Sequence, residues 1–105
     1  MNKEVIDLSR EYTGILRDKL SLRLKQVILF GSQVRGDAGE GSDYDMVVVV
    51  DERTPEIREA ILDAGVEMMD RHHKLFAALT YSEQEWKQAE KFPLGWIIRQ
   101  EGIAL

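Results

Sequence analysis

Gly31-Ser32-Gln33-Val34-Arg35-Gly36-Asp37-Ala38-Gly39-Glu40-Gly41-Ser42-Asp43-Tyr44-Asp45 is the stretch on which the fold of this chain turns. A short apolar run, Val27-Ile28-Leu29-Phe30, precedes it, and Asp43 to Val50, rich in β-branched residues, closes it. Both runs read as strands. The polar loop between them, Gln33 to Ser42, carries three glycines and no apolar helical stripe. A parallel crossover needs such a helix, so the two strands are predicted to be antiparallel neighbours. That pairing brings Gly31-Ser32, at the end of the first strand, beside Asp43-Tyr44-Asp45, at the start of the second.

Working outward, residues 3 to 24 place Val5, Leu8, Tyr12, Ile15, Leu16 and Leu20 on one stripe, an amphipathic helix weakened slightly by Gly14. Thr54-Pro55 reads as an N-cap with proline at the first helical position, followed by the stripe Ile57, Ala60, Ile61, Ala64 and Met68. Lys74 to Tyr81 is predicted as a third strand. Ser82-Glu83-Gln84-Glu85 has the form of a capping box, with Tyr81 and Trp86 placed to form its hydrophobic staple. Phe92-Pro93 to Leu105 is expected to be a closing helix. Helices alternating with strands predict a two-layer α–β domain over residues 1–105, built on a small mixed sheet of at least three strands.

The chain has 105 residues, no cysteine and a net charge of −5. That sign argues against gripping a nucleic-acid backbone. The first residues show no signal peptide, and the longest aliphatic run, Met46 to Val50, is too short to span a bilayer. No membrane partner and a cytoplasmic location are therefore the expectations.

Two motifs in the central stretch fail on inspection. Gly31 and Gly36 have P-loop spacing, but Asp37 stands where the phosphate-binding lysine belongs. Asp43-Tyr44-Asp45 begins like a calcium loop, yet the following residues form an apolar strand. What survives is geometric. Strand alternation puts Asp43 and Asp45 on one face, where two carboxylates repel unless a cation joins them. Magnesium, which takes carboxylate, water and phosphate oxygens, fits best. Gly31 lets a phosphate approach the backbone, while Ser32 offers a hydroxyl and an N–H from the first turn of a short helix. The stretch thus predicts a nucleotide site. His72-His73 reads as an ordinary turn or surface pair. Met68-Met69, Trp86 and Trp96 read as core. The apolar stretch Phe92 to Ile98 reads equally as a core lid or a partner interface.

Gly31-Ser32, ten residues, then Asp43-Tyr44-Asp45 resembles the hallmark of the DNA polymerase β-type nucleotidyltransferases. More narrowly, Gly31-Ser32-Gln33-Val34-Arg35-Gly36 with Ser42-Asp43-Tyr44-Asp45 is similar to the minimal nucleotidyltransferases, and the order of elements agrees. The resemblance implies a nucleotidyltransferase fold and transfer of a nucleoside monophosphate from a magnesium–triphosphate, with ATP as substrate. It implies that Gly31 and Ser32 hold the triphosphate, Asp43 and Asp45 the Mg2+, and Arg35 a phosphate or a partner; Ser32, Asp43 and Asp45 would be catalytic. Many such proteins are antitoxins of a helical HEPN ribonuclease toxin, and some silence it by placing AMP on a toxin tyrosine. One departure stands out. The superfamily's third carboxylate belongs on the next strand, which reads Lys74-Leu75-Phe76-Ala77-Ala78-Leu79-Thr80, with Ala77 at the expected position. Asp70 and Glu83 lie outside that strand.

Three functions stay open: an enzyme that adenylylates a toxin partner, an antitoxin that works by binding alone, and a transferase acting on a small molecule. A nucleotide site fills most of a chain this short and leaves little for an acceptor pocket, which disfavours the third.

Overall fold

The computed structural model describes residues 2–39 and 41–105. Helix α1 spans Lys3–Leu20, β1 Leu24–Phe30, the single-turn α2 Ser32–Arg35, β2 Tyr44–Val50 and α3 Pro55–His72. They are followed by β3 Phe76–Ser82, α4 Glu83–Ala89, α5 Pro93–Glu101 and β4 Ile103–Ala104. The four strands form one mixed sheet in the order β3-β2-β1-β4. As the loop composition predicts, β1 and β2 are antiparallel, with Phe30 opposite Asp45. The apolar helix α3 provides the crossover that makes β2 and β3 parallel.

Strand β2 is the centre of the molecule. Met46 to Val50 are all buried, because helices cover both faces of the sheet. On one face Met46, Val48 and Val50 pack with Tyr12, Leu16, Ile61 and Met68 of α1 and α3. On the other, Val47 and Val49 pack with Ile28, Trp86 of α4 and Ile98 of α5. The helix starts follow the sequence signals. Thr54 Oγ1 accepts from Ile57 N–H at 3.2 Å. Ser82 and Glu85 form the capping box reciprocally, and the Tyr81 and Trp86 rings meet at 5.2 Å as its staple.

Several boundaries differ from the sequence reading, and β2 starts at Tyr44 rather than Asp43. Helix α1 ends at Leu20, not 24, because Ser21 takes a positive φ of 50° and a 3-10 turn follows. The residues after that turn join β1, which starts at Leu24 and pairs it with Val50 across an irregularity before Gln26. Strand β3 starts two residues later than expected and ends one later, at Ser82, because its partner β2 begins only at Tyr44, opposite Phe76, and continues to Val50, opposite Ser82. The closing helix stops at Glu101, and the chain turns at Gly102 into β4, which pairs Ile103 with Leu29 and Ala104 with Ile28. A Cβ at Gly102 would strike Ile28 and the Ile98 carbonyl, so only glycine allows so close a return to the sheet.

The core assignments divide. Met68 and Trp86 are buried, but Met69 is 39% and Trp96 57% exposed. Adjacent helical residues point about 100° apart, so a single apolar stripe cannot bury both methionines. Trp96 lies on the outer side of α5, whose inner side is occupied by Ile98 and Gly95. No helix among the described residues is long and apolar enough to cross a membrane.

Candidate functional site

Gly31 takes φ +84° at the end of β1, a conformation open to glycine alone at little cost, and caps α2. Its carbonyl accepts from Val34 N–H and Arg35 N–H, both at 3.1 Å. Gly36, at φ +83°, ends the turn. The chain returns to the sheet through Ser42, whose carbonyl accepts from Gln33 Nε2 at 3.2 Å. That contact ties the short helix to the residue just before the acidic pair.

Asp45 is aimed by an aromatic stack on the opposite face of the strand. Tyr44 is buried and stacks on Phe76 at 4.6 Å, and Phe76 stacks on Tyr12 at 4.7 Å. With Tyr44 anchored inward, alternation turns Asp45 to the other side, and Asp43 immediately precedes the strand. Asp43 is exposed and Asp45 half-buried. Burial raises the Asp45 pKa, the Asp43 charge raises it further, and Arg35 lowers it. The two carboxylates and the arginine therefore act on one another electrostatically. Gly31 sits directly against Asp45: a Cβ built on it would collide with the carboxylate, with Cγ at only 3.1 Å.

Arg35 is exposed and shared between Asp37 at 3.3 Å and Glu101 of α5 at 3.6 Å. Neither Gln33 nor Glu101 stood out in the sequence. Gln33 acts through a backbone carbonyl nine residues away, and Glu101 reaches Arg35 only because α5 folds back over the sheet. Across the strands, Asp45 is opposite Ala77 on β3, the register expected for the missing acid. Glu83 follows the far end of β3, six residues and roughly 20 Å along the strand. Asp70 lies in the last turns of α3.

The histidines are structural. His72 Nε2 contacts the Glu11 carboxylate at 2.9 Å, and His73, at φ 56°, is the C-cap of α3. Among the described residues no group of three His, Cys, Asp or Glu side chains is placed to hold a metal. The donor set at Asp43 and Asp45 still fits magnesium, which commonly takes one or two carboxylates and completes its shell with water and substrate phosphate.

The apolar stretch near the C-terminus divides between its two readings. Ile98 is in the core, whereas Phe92, Leu94, Trp96 and Ile97 are 44–64% exposed. The greater part is open surface on α4–α5.

Gly31→Ala provides a direct check on the loop. An alanine there meets both a left-handed backbone, costing about 1–2 kcal/mol, and the Asp45 carboxylate. The expected result is a melting temperature lower by roughly 5–10 °C, whereas Gly14→Ala, with open space around it, leaves melting unchanged or raises it.

The chain is similar in sequence or in fold to several known proteins. A family profile described as nucleotidyltransferase domain matches residues 9–100. A Methanocaldococcus jannaschii protein named "Putative protein adenylyltransferase" is 27% identical over 96 residues, 91% of this chain and 92% of that protein. A second protein of that name from the same organism is 39% identical over 56 residues, 53% of this chain and 56% of its own length. A toxin–antitoxin crystal structure with AMP-PNP superposes with a TM-score of 0.61 at 15% identity, over 91% of this chain and 70% of that one. A structure of the toxin–antitoxin MntA–HpeT, carrying two aspartate-to-glutamate changes two positions apart, gives 0.60 at 13% identity over the same shares. At such identities the likeness is one of fold.

Proposed function

Because the chain belongs to the nucleotidyltransferase domain family, we propose that it transfers AMP from magnesium-bound ATP to a tyrosine hydroxyl of a HEPN ribonuclease toxin and neutralises it as its antitoxin. One observation carries this reading: Asp45 packs against Gly31 where β1 ends, with the Asp43 carboxylate near enough for its charge to raise the Asp45 pKa. The relatives named as protein adenylyltransferases support a protein acceptor. The toxin–antitoxin neighbours, one with an ATP analogue and one altered at two aspartates with the spacing of Asp43 and Asp45, support the partner and the nucleotide.

In this reading Gly31 admits the triphosphate to the backbone and Ser32 donates to a phosphate oxygen. Arg35 moves from Asp37 and Glu101 to a phosphate. Asp43 and Asp45 would hold Mg2+, which would supply positive charge against the triphosphate oxygens. The acceptor oxygen forms a bond to the α-phosphorus, the bond to the bridging oxygen breaks, and pyrophosphate leaves. The hydroxyl proton passes to water or to a base on the acceptor, since Ala77 supplies none.

The decisive experiment incubates the chain, magnesium, each nucleoside triphosphate and the co-encoded neighbouring protein, and reads intact mass. A gain of AMP units on the neighbour's tyrosine, dependent on ATP and magnesium, is the expected result; an unmodified neighbour refutes transfer. The toxin is expected to dock on the open α4–α5 surface. Trp96→Ala should weaken co-purification at least about tenfold without changing the fold, because Trp96 is more than half exposed. A second reading, an antitoxin that works by binding alone, is favoured by one observation: Ala77 stands opposite Asp45 where a third acid is expected. It predicts that the toxin is inhibited equally well without ATP.

A further inference from the structure

The outer side of α3 carries a pattern that neither the core nor the nucleotide site uses. Arg58, Leu62, Val66 and Asp70 recur at four-residue steps and so form one continuous inclined ridge on the helix surface. Core contact is made by a different face, through Ile57, Ile61, Ala64 and Met68. Leu62 is 63% and Val66 57% exposed. Among the described residues neither Arg58 nor Asp70 takes part in an ion pair, although Arg71 and Glu67 beside them are paired.

The order of chemistry along this ridge is cation, apolar, apolar, anion. Such a stripe is complementary to itself when turned end for end. A two-fold axis level with Ala64 sets Arg58 against Asp70 of the second copy and Leu62 against Val66, each pairing occurring twice. The surface beside the stripe is equally unfinished. Strand β3 is the edge of the sheet and bonds only β2. It has no lysine, proline or bulge to discourage pairing, and the residues flanking α3 there, Leu75 and Leu79, are 49% and 41% exposed. Two cavities of about 650 and 490 Å³ run along the groove between α3 and β3, both lined by Leu62 and Ala78. Exposed apolar side chains this close together mark a binding surface rather than scattered surface residues.

We propose that this groove is a self-association surface, on which a second copy of the chain packs its α3 antiparallel to the first. Glu59 lines the groove beside Arg58, and Asp63 is exposed next to Leu62. Asp45 and Ile98 face the other side of the sheet. A pair formed through α3 therefore leaves both the acidic pair and the open surface of α5 free in each copy. Two acceptor proteins could then be held by one assembly.

Sedimentation of the full chain from about 1 to 100 µM, a range spanning a micromolar dissociation constant, tests this. A dimer at the upper end is expected, and Leu62→Glu should make it monomeric with an unchanged circular dichroism spectrum, since that side chain is outside the core. Arg58→Asp and Asp70→Arg should each be monomeric alone, because each places like charges together in its own pair. Mixed in equal amounts they should dimerise again, because every cation then meets an anion. A natural chain that is monomeric at about 100 µM overturns the proposal. So does a dimer that survives Leu62→Glu, or one abolished by Trp96→Ala, which would assign self-association to α5.

Discussion

Asp45→Asn should reduce nucleotide transfer by about 10³-fold or more, equivalent to about 4 kcal/mol of barrier, and at the same time make the ligand-free protein more stable. Both effects have the same origin. The Asp45 carboxylate is half-buried beside Asp43, and burial and that neighbouring charge raise its pKa. A carboxyl whose folded pKa is raised contributes most to stability when protonated, below its unfolded value near 3.8. That contribution is lost as pH rises through the folded pKa. At neutral pH the ionised group is a liability, which Arg35 offsets only in part. Asparagine removes the charge, so melting should rise by roughly 2–4 °C at pH 7, an advantage that disappears in acid. Magnesium should reverse the ranking: about 10 mM of the ion stabilises the natural chain by mass action and leaves Asp43→Asn with Asp45→Asn unaffected. Thermal melts with and without magnesium at two pH values check all three arms. Equal transfer by the variant would remove Asp45 from the site.

Ala77→Asp should increase transfer at least about tenfold, or about 1.4 kcal/mol. Ala77 is opposite Asp45 on a parallel strand and half-buried, so an aspartate there joins the acidic pair directly across the ladder. A third acid can hold the metal and draw off the hydroxyl proton, a contribution of about 10² to 10⁴ for a well-placed base. Without magnesium the same substitution should lower the melting temperature, through repulsion among three carboxylates. Initial rates of AMP transfer measured beside melting curves separate the two effects. A natural chain that already transfers rapidly and gains nothing from the change would show that two carboxylates suffice.

Strand pairing, and with it the closeness of Asp45 to Gly31, was legible because it rests on local regularities. A loop without a helical stripe forbids a parallel crossover, and the antiparallel pairing that remains sets Asp45 opposite Phe30, next to Gly31. The register of Ala77 with Asp45 came from the family resemblance, which puts a third acid at that position of the next strand. What escaped depends on contacts distant in sequence. Leu20, Leu22 and Leu24 suit a helix or a strand equally, and the positive φ of Ser21 ends the helix among them, leaving Leu22 88% exposed. Strand β4 has only two residues, too few for any periodic signal, and exists because Gly102 lets the chain approach Ile28. Hydrophobicity alone did not say which of Met68 and Met69, or of Trp86 and Trp96, faces inward. The pair Arg35–Glu101 joins residues that only the finished fold makes neighbours.

The return of the chain at Gly102 also bears on the entropy of recognition. Beyond α5, Ile103 and Ala104 pair with β1, and Leu105 N–H bonds Val27 O at 2.9 Å. Ahead of it, Trp86 fixes α4 in the core, and Gly95 packs where a Cβ would meet the Ala89 carbonyl. The nine residues of α5 are thus fastened at both ends before any partner arrives. Ordering a free segment of that length would cost roughly 9–18 kcal/mol of backbone entropy, at about 1–2 kcal/mol per residue. A partner meeting the fastened helix has only side chains such as Phe92, Leu94 and Trp96 to immobilise, at about 0.5–1.5 kcal/mol each. A small apolar surface can therefore bind tightly, because folding has already restricted the backbone that presents it.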